Sequence, residues 1–537
     1  MIDLIINEIE KALKSLKIST DDLVEVISSK NKDNGDYSSN IALKISKKIN
    51  QSSMEIAKSI AETIKHKAII RVEIKEPGFI NFILDKQYLF DNVINIIKLG
   101  DNYGRQVFGN HQKINYEFVS GNPTGILHFG NARGGAFGDN MARILSFCNY
   151  DVTKEYYIND AGNQVKNLGL SIQAKYFELC GKEFTFPDAG YHGEEITELA
   201  KIMFDEHKAK LLDNDLDYFI NYGIEEFLKQ IIEDLKLYRV TYDVFTSEKA
   251  IYSKYPLTEI IKVLEKNNYT YLEEGAVWFK SSLLYDDKDH VLVKSDGSFS
   301  YLVPDIAYHI DKINRGFDQL VVVLGTDHHG YVDRIKSALK AMNYNSDILS
   351  IKLLQLVKLI QDGQELKMSK RTGNAISLRV LIEQIGVNAA RYLFASKSLD
   401  TQMEVDLDLA IKQSNDNPVY YVNYAYARIC TILSKYEDLK KINEFNVINQ
   451  NEMFHKILDT LYNFPKAIQD AANKGFPHLL TNYIYDLATS FHYLYNEYRF
   501  VNEDEKITIE NLNVLLAIKI TMKNALNLIG VIPEEKM

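Results

Sequence analysis

What this chain has little of narrows it first. Three cysteines, Cys148, Cys180 and Cys430, are scattered through 537 residues with no CxxC pair, so neither a zinc site nor a disulfide framework is indicated. That pattern suits a reducing, cytoplasmic setting. No apolar run approaches the roughly 18 residues needed to span a bilayer. The N-terminus, MIDLIINEIEKALKSL, carries acids where a secretory leader would be basic, and Leu4, Ile5, Ile9, Leu13 and Leu16 are spaced for one face of a helix. Positive charge is short as well. A net charge of −11 argues against coating nucleic acid by bulk electrostatics, so an RNA partner would be held by local patches and shape. Residues 1–110 hold 16 Lys+Arg against 15 Asp+Glu, which places the acidity further on. The chain has no internal repeat and no low-complexity linker.

What is there begins with length: 537 residues exceed one core, and two to four domains are expected. The most informative stretch is 113–143, KINYEFVSGNPTGILHFGNARGGAFGDNMAR. Ile114, Tyr116 and Phe118 alternate as in a half-buried strand, and the Gly/Asn/Pro/Thr loop at 120–125 stops it. From about Gly130 the text is helical, with Ala132, Ala136, Met141, Ala142 and Leu145 available to pack. Strand, Gly-rich loop and helix N-terminus together can hold an anion on backbone N–H groups, although such a loop is also the commonest kind of tight turn. His128 and Asn131, three apart at the helix start, can both reach one ligand.

A second stretch, LVKLIQDGQELKMSKRTGN at 356–374, places Asp362-Gly363 between two extended runs, a hairpin signal. A basic loop follows it. Taken together, the two stretches resemble the signatures of class I aminoacyl-tRNA synthetases. His128-Phe129-Gly130-Asn131 looks like the family's His-x-Gly-His, and Lys367-Met368-Ser369-Lys370 matches its Lys-Met-Ser-Lys. Asn131 departs from the family's usual His: it can donate a hydrogen bond but cannot be cationic.

The remainder narrows the resemblance. Residues 1–110 read as a small α/β module: a first helix, a helical pattern through Ile41, Leu43, Ile45 and Ile49, two strands at 69–84 joined by Pro77-Gly78, and a helix over 85–99. GDYSSNIALKISKK followed by EPGFINFIL resembles the N-terminal extension of bacterial-type arginyl-tRNA synthetases, which contacts the outer corner of the tRNA. Residues 111–395 read as a Rossmann-type, doubly wound catalytic domain with insertions, since βα units recur at 152–164 and 321–339. The charged helical text at 165–240 reads as a solvated insertion. From 396 to 537 the segments are helical and predict an all-α bundle, which resembles that family's anticodon-binding domain. Tyr420, Tyr421, Tyr424 and Tyr426 could be core or platforms for unpaired bases.

The resemblance implies an α/β enzyme, an arginine–tRNA ligase: arginine and ATP, with Mg2+ on the triphosphate, give arginyl-adenylate, and arginine tRNA then receives the arginyl group. It implies His128, Asn131, Lys367 and Lys370 as catalytic, and Gly130, Asp327, His328, Met368 and Ser369 with His128, Asn131 and Lys370 at ATP. Ser120, Asn122, Glu248, Tyr301, Asp305 and His329 are implied at arginine, with Glu117 a weaker candidate. It suggests a monomer and no protein-held metal. Asp327, His328 and His329 could be read as a metal cluster, but adjacent histidines diverge and no further ligand set accompanies them. Asp305, after Pro304, could equally start a helix; the extended run 299–303 favours the carboxyl end of a sheet element. The acids near Glu194, Glu195, Glu225 and Glu226 need no ligand. Another class I synthetase, a nucleotidyltransferase without tRNA activity, and a non-catalytic RNA-binding relative are the alternatives.

Overall fold

The computed structural model describes residues 1–19, 21, 23–29, 34–366, 376–436 and 453–537. Its centre is a five-stranded parallel sheet whose strands are β1 (Lys113–Glu117), β2 (Asp151–Ile158), β3 (Val244–Ser247), β4 (Gln319–Gly325) and β5 (Leu349–Leu354). Their spatial order is β5-β4-β1-β2-β3, so the chain leaves β1 in one direction, returns, and builds the other half from β4. That reversal is the doubly wound plan, and it opens a crevice over the carboxyl ends of β1 and β4. The strand interiors are apolar because helices cover both faces: Ile114, Tyr116, Val321 and Val323 are buried, as are Leu320 and Val322.

Seven helices position the site: α1 (Phe129–Phe147), α2 (Asn163–Leu179), α3 (Glu194–His207), α4 (Leu216–Leu237), α5 (Glu248–Lys254), α6 (Leu302–Asn314) and α7 (Tyr331–Ala341). α1 crosses the sheet so closely that a Cβ on Gly138 would lie 2.1 Å from the Phe118 ring, a contact only glycine permits. The insertion α2–α4 has a core of its own, with Leu168, Ile172, Tyr176, Ile196, Phe219 and Phe227 buried together.

The N-terminal region forms a four-stranded antiparallel sheet backed by helices Ile2–Ser15, Ile41–Ile49 and Ser53–Thr63. Ile5, Ile9 and Leu13 are buried along the first helix, and Ile69–Lys75 pairs with Phe79–Leu84 across the Pro77-Gly78 turn. Helix Lys86–Leu99, capped by Asp85 on the Gln87 N–H at 2.9 Å, leads to the central sheet. The C-terminal region packs helices Pro418–Lys435, Met453–Tyr462, Phe464–Lys474, His478–Glu497 and Glu505–Leu528. Tyr426 is core there, whereas Tyr420, Tyr421 and Tyr424 are only half-buried, with Tyr420 and Tyr424 stacked 5.7 Å apart.

Two local expectations differ from the structure. Residues 299–303 are not a strand: Leu302 opens α6, Pro304 fits its first turn because the N–H it lacks has no intrahelical partner there, and Asp305 sits in that turn. The stretch after Ser396 is not helical at once. Met403–Asp406 is a strand that pairs parallel with Val357–Gln361, its Met403 and Val405 buried and Glu404 exposed, and helix Pro418–Lys435 begins only afterwards. Asp362-Gly363 does form the expected hairpin, with φ of 51° and 72° at the two central residues, the hand that matches strand twist.

Candidate active site

β1 ends at Glu117, and the chain then turns through strained backbone: Val119 has φ 67° and Ser120 φ 39°. A β-branched residue in the left-handed region is costly, and neighbours hold it there. Tyr242 donates its O–H to the Phe118 carbonyl at 3.0 Å, Tyr156 donates to the Gly121 carbonyl at 2.7 Å, and Ser120 Oγ accepts the Tyr157 N–H at 3.1 Å. The turn swings residues 120–127 over the sheet and delivers His128 as the N-cap of α1.

His128 and Asn131 form a reciprocal cap. His128 Nδ1 accepts the Gly130 N–H at 3.1 Å, and Asn131 Oδ1 accepts the His128 N–H at 3.1 Å. With Nδ1 accepting, the proton of a neutral imidazole lies on Nε2, which is then a donor. Asn131 spends its carbonyl oxygen on the cap, and its NH2 end remains a donor on the cavity side. The departure at 131 therefore keeps a neutral donor at the positive end of α1.

These groups open into a cavity of about 890 Å³ over the sheet's carboxyl edge. Its opposite wall is acidic. Asp305 on α6 and Glu248 at the first turn of α5 face into it, and Glu117 at the end of β1 closes its floor. Glu117 is satisfied: buried Lys312 pairs with it, and Ser120 Oγ donates to it at 3.0 Å. Asp305 and Glu248 receive only phenolic donors, from Tyr331 and Tyr252 respectively, and form no ion pair among the described residues. Burial, then the charges of Glu248 and Glu117, push the Asp305 carboxyl up to about 8. Burial also raises Glu248, with Asp160 adding to it. Arg334, also in the lining, lowers Asp305 in part without pairing with it among the described residues, so two acids face one cation and the wall is short of another.

Of the residues singled out from the sequence, Ser120, Asn122, His128, Asn131, Glu248, Tyr301, Asp305 and His328 line this one cavity. Tyr301 stands at its mouth and is 71% exposed. Asn122 donates to Gln164 Oε1 at 2.6 Å across the rim. Gly130 lies just behind the cap. Asp327 and His329 are exposed and outside the cavity lining, with Asp327 Oδ2 3.6 Å from His328 Nε2 on the short turn Thr326–His328. Lys367, Met368, Ser369 and Lys370 lie outside the described residues. The chain re-enters beside the first motif: Phe129 N–H donates to the Ile376 carbonyl at 3.1 Å, and Leu378 N–H to the Leu127 carbonyl at 2.8 Å. Among the described residues, no group of three His, Cys, Asp or Glu could hold a metal ion.

The wall also contains residues that sequence reasoning passed over. His309 lies four positions beyond Asp305, a helical spacing that could have pointed to it; Tyr252, four beyond Glu248, is outside the lining but donates to that acid. Tyr331 and Tyr157 carry no such local signal. Glu195, set aside as a solvated acid, lines the rim with Tyr191 because α3 and its preceding loop fold over the crevice.

Comparison with known proteins is consistent along the whole chain. Residues 3–84 match the family described as arginyl tRNA synthetase N terminal domain, residues 92–425 the catalytic domain of class I (R) tRNA synthetases, and residues 422–537 the DALR anticodon binding domain. The arginine–tRNA ligase of Bacillus subtilis is 44% identical over 95% of this chain and 93% of its own length. Arginine–tRNA ligase 1 of Halalkalibacterium halodurans is 41% identical over 99% of this chain and 98% of its own. The Thermus thermophilus arginyl-tRNA synthetase structure superposes with a TM-score of 0.77 over the full length of both chains at 18% identity, a likeness of fold.

Proposed function

The chain belongs to the arginyl-tRNA synthetase family, and from that membership we propose how its cavity does the family's work. The protein is an arginine–tRNA ligase: it activates L-arginine with ATP to arginyl-adenylate and pyrophosphate, then passes the arginyl group to its tRNA. Asp305 and Glu248 receive the guanidinium, a permanent planar cation whose fork suits paired carboxylates. Ser120 and Asn122 hold the α-amino end, so the carboxylate of arginine points toward His128 and Asn131. Mg·ATP lies along that cap with His328 beside it. The arginine carboxylate attacks the α-phosphorus in line, and charge growing on the phosphoryl oxygens meets His128 Nε2–H, the Asn131 NH2 and the dipole of α1. Lys367 and Lys370 follow the departing pyrophosphate. Residues 1–110 serve the outer corner of the tRNA and 396–537 its anticodon. The protein acts as a monomer, working in the cytoplasm where its tRNA is.

The observation that carries this reading is the opposition within one cavity: acids lacking a cation at one end, N–H donors at the other. Arginyl-adenylate has the matching polarity. The test is ATP–pyrophosphate exchange in the presence of tRNA. Exchange should require arginine and fail with lysine; exchange indifferent to the amino acid would favour a nucleotidyltransferase, and none at all a non-catalytic RNA-binding protein.

A further inference from the structure

Three side chains of the cavity wall carry a buried polar atom with no partner among the described residues: Arg334 Nε, Tyr157 Oη and His309 Nε2. Their chemistry differs. Arg334 Nε can only donate, and the Tyr157 hydroxyl can turn to donate or accept. His309 Nε2 has no such choice. Its ring is 1% exposed, one turn beyond Asp305 on the same face of α6, and its Nδ1 lies 2.8 Å from the Asp305 carbonyl oxygen. A carbonyl only accepts, so Nδ1 carries the proton and Nε2 presents a bare lone pair. Burial, with the Lys312 cation adding to it, lowers the His309 pKa to about 3, so the ring stays neutral in the working range. A lone pair buried without a donor costs free energy until a ligand N–H meets it.

We propose that His309 is a specificity-determining residue whose Nε2 accepts one N–H of the arginine guanidinium beside the carboxylates of Asp305 and Glu248. The inference rests on the reading of this cavity as the arginine site and extends it. A guanidinium carries five N–H donors in a plane, more than Asp305 alone can receive. A further carboxylate would join a wall where Asp305 is already pushed toward its neutral form; an imidazole supplies the lone pair without the charge. The contact also sorts near-substrates. Citrulline replaces one NH2 by a carbonyl oxygen and would set a lone pair against Nε2. The ammonium of lysine gathers its donors at one point and cannot serve separated acceptors.

Two variants separate this role from packing. His309→Asn keeps an N–H donor for the Asp305 carbonyl and removes the Nε2 acceptor; His309→Gln places a carboxamide oxygen near the Nε2 position. In ATP–pyrophosphate exchange with tRNA present, His309→Asn should raise the arginine KM about tenfold with the ATP KM unchanged, and His309→Gln should stay within about threefold. A parent-like arginine KM in His309→Asn, or equal losses in both variants, overturns the proposal. A measurement without mutation guards against misfolding. In protein carrying histidine labelled with the heavy nitrogen isotope, the His309 Nε2 resonance should move from the bare-lone-pair position toward that of a hydrogen-bonded acceptor on adding arginine, and stay put on adding ATP. A resonance that ignores saturating arginine overturns the proposal while leaving the arginine site intact. If the parent binds no arginine, the site reading itself fails.

Discussion

Two sets of buried acids in the central region behave in opposite ways. Asp139 on α1 is enclosed by Arg391, Arg143 and Lys154 at 2.7, 2.6 and 3.3 Å. Glu155 on β2 holds Arg315 at 2.7 Å and accepts from Thr246 at 2.6 Å and Tyr308 at 3.0 Å. Burial pushes both carboxyls up, but the surrounding cations outweigh it and hold them below the usual range: Arg391, Arg143 and Lys154 for Asp139, Lys312 and Arg315 for Glu155. Asp305 and Glu248 are also enclosed, yet each accepts from a tyrosine and forms no ion pair among the described residues; Arg334 offsets the Asp305 shift only in part, and both shift upward. An acid that serves the fold brings its counter-charge with it; an acid that serves a substrate waits for one. Buried charge alone does not mark a site; a buried acid without a counter-ion in a cavity is a candidate for one.

The contrast breaks first at Asp139. Asp139→Asn leaves Arg391, fully buried, without its counter-ion, and should cost about 3–5 kcal/mol of stability in denaturant titration. A loss below about 1 kcal/mol would show that the pair adds nothing to the fold. The acid limb of stability follows the same residue. Its folded pKa lies below the ordinary 3.8, so its contribution is present above that value and is lost as pH falls through the folded one.

Asp305 has the reverse sign. Its carboxyl, faced by Glu248, Glu117, Tyr331, Tyr157 and Arg334, holds a proton up to about pH 8 in the empty cavity. A guanidinium must displace that proton. Arginine affinity should therefore rise with pH by up to about tenfold per unit toward pH 8 and level off beyond it. Calorimetry in buffers of different ionisation enthalpy would count the released proton, and a flat profile would mean Asp305 is already ionised.

Glu248→Gln should weaken arginine by about tenfold, less than loss of Asp305, because Tyr252 still meets the amide oxygen. Equal losses at the two positions, measured as arginine KM, would make them a single unit. The smallest effect concerns the empty protein. Asp305→Asn should leave its stability within about 1 kcal/mol of the parent or raise it, since an acid held without a counter-ion opposes folding. As pH rises from 3.8 toward 8 the parent loses stability, because the carboxyl ionises more readily unfolded than folded, and Asp305→Asn does not. A large destabilisation would return Asp305 to the class of Asp139.

Much of this was legible in the residues, and where it was not the reason is physical. The strand, loop and helix around 113–143 and the Asp362-Gly363 hairpin rest on local signals, namely alternation, turn composition and positive φ, and each formed where expected. The stretch before Asp305 reads as an extended run in sequence; a β-branched and aromatic stretch before proline looks like a strand until packing makes it a helix start. Met403–Asp406 is too short to announce itself within helical surroundings, and its partner lies at Val357–Gln361. Apart from Arg143 and Lys154 near Asp139, the cations that neutralise the other acids lie far along the chain, Lys312 from Glu117 by 195 positions and Arg391 from Asp139 by 252. No window of sequence distinguishes a paired acid from a waiting one, and the same holds for Glu195, which reads as a solvated helix face until α3 is seen over the crevice.

The account turns on Asp305 as the waiting counter-ion, and isothermal calorimetry of Asp305→Asn against arginine and ATP tests it most directly. Removing that charge should weaken arginine by two orders of magnitude or more, about 3 kcal/mol, while ATP binding without arginine is unchanged. Arginine binding within about threefold of the parent would contradict the account and move the guanidinium to another partner, with Glu248 the next candidate.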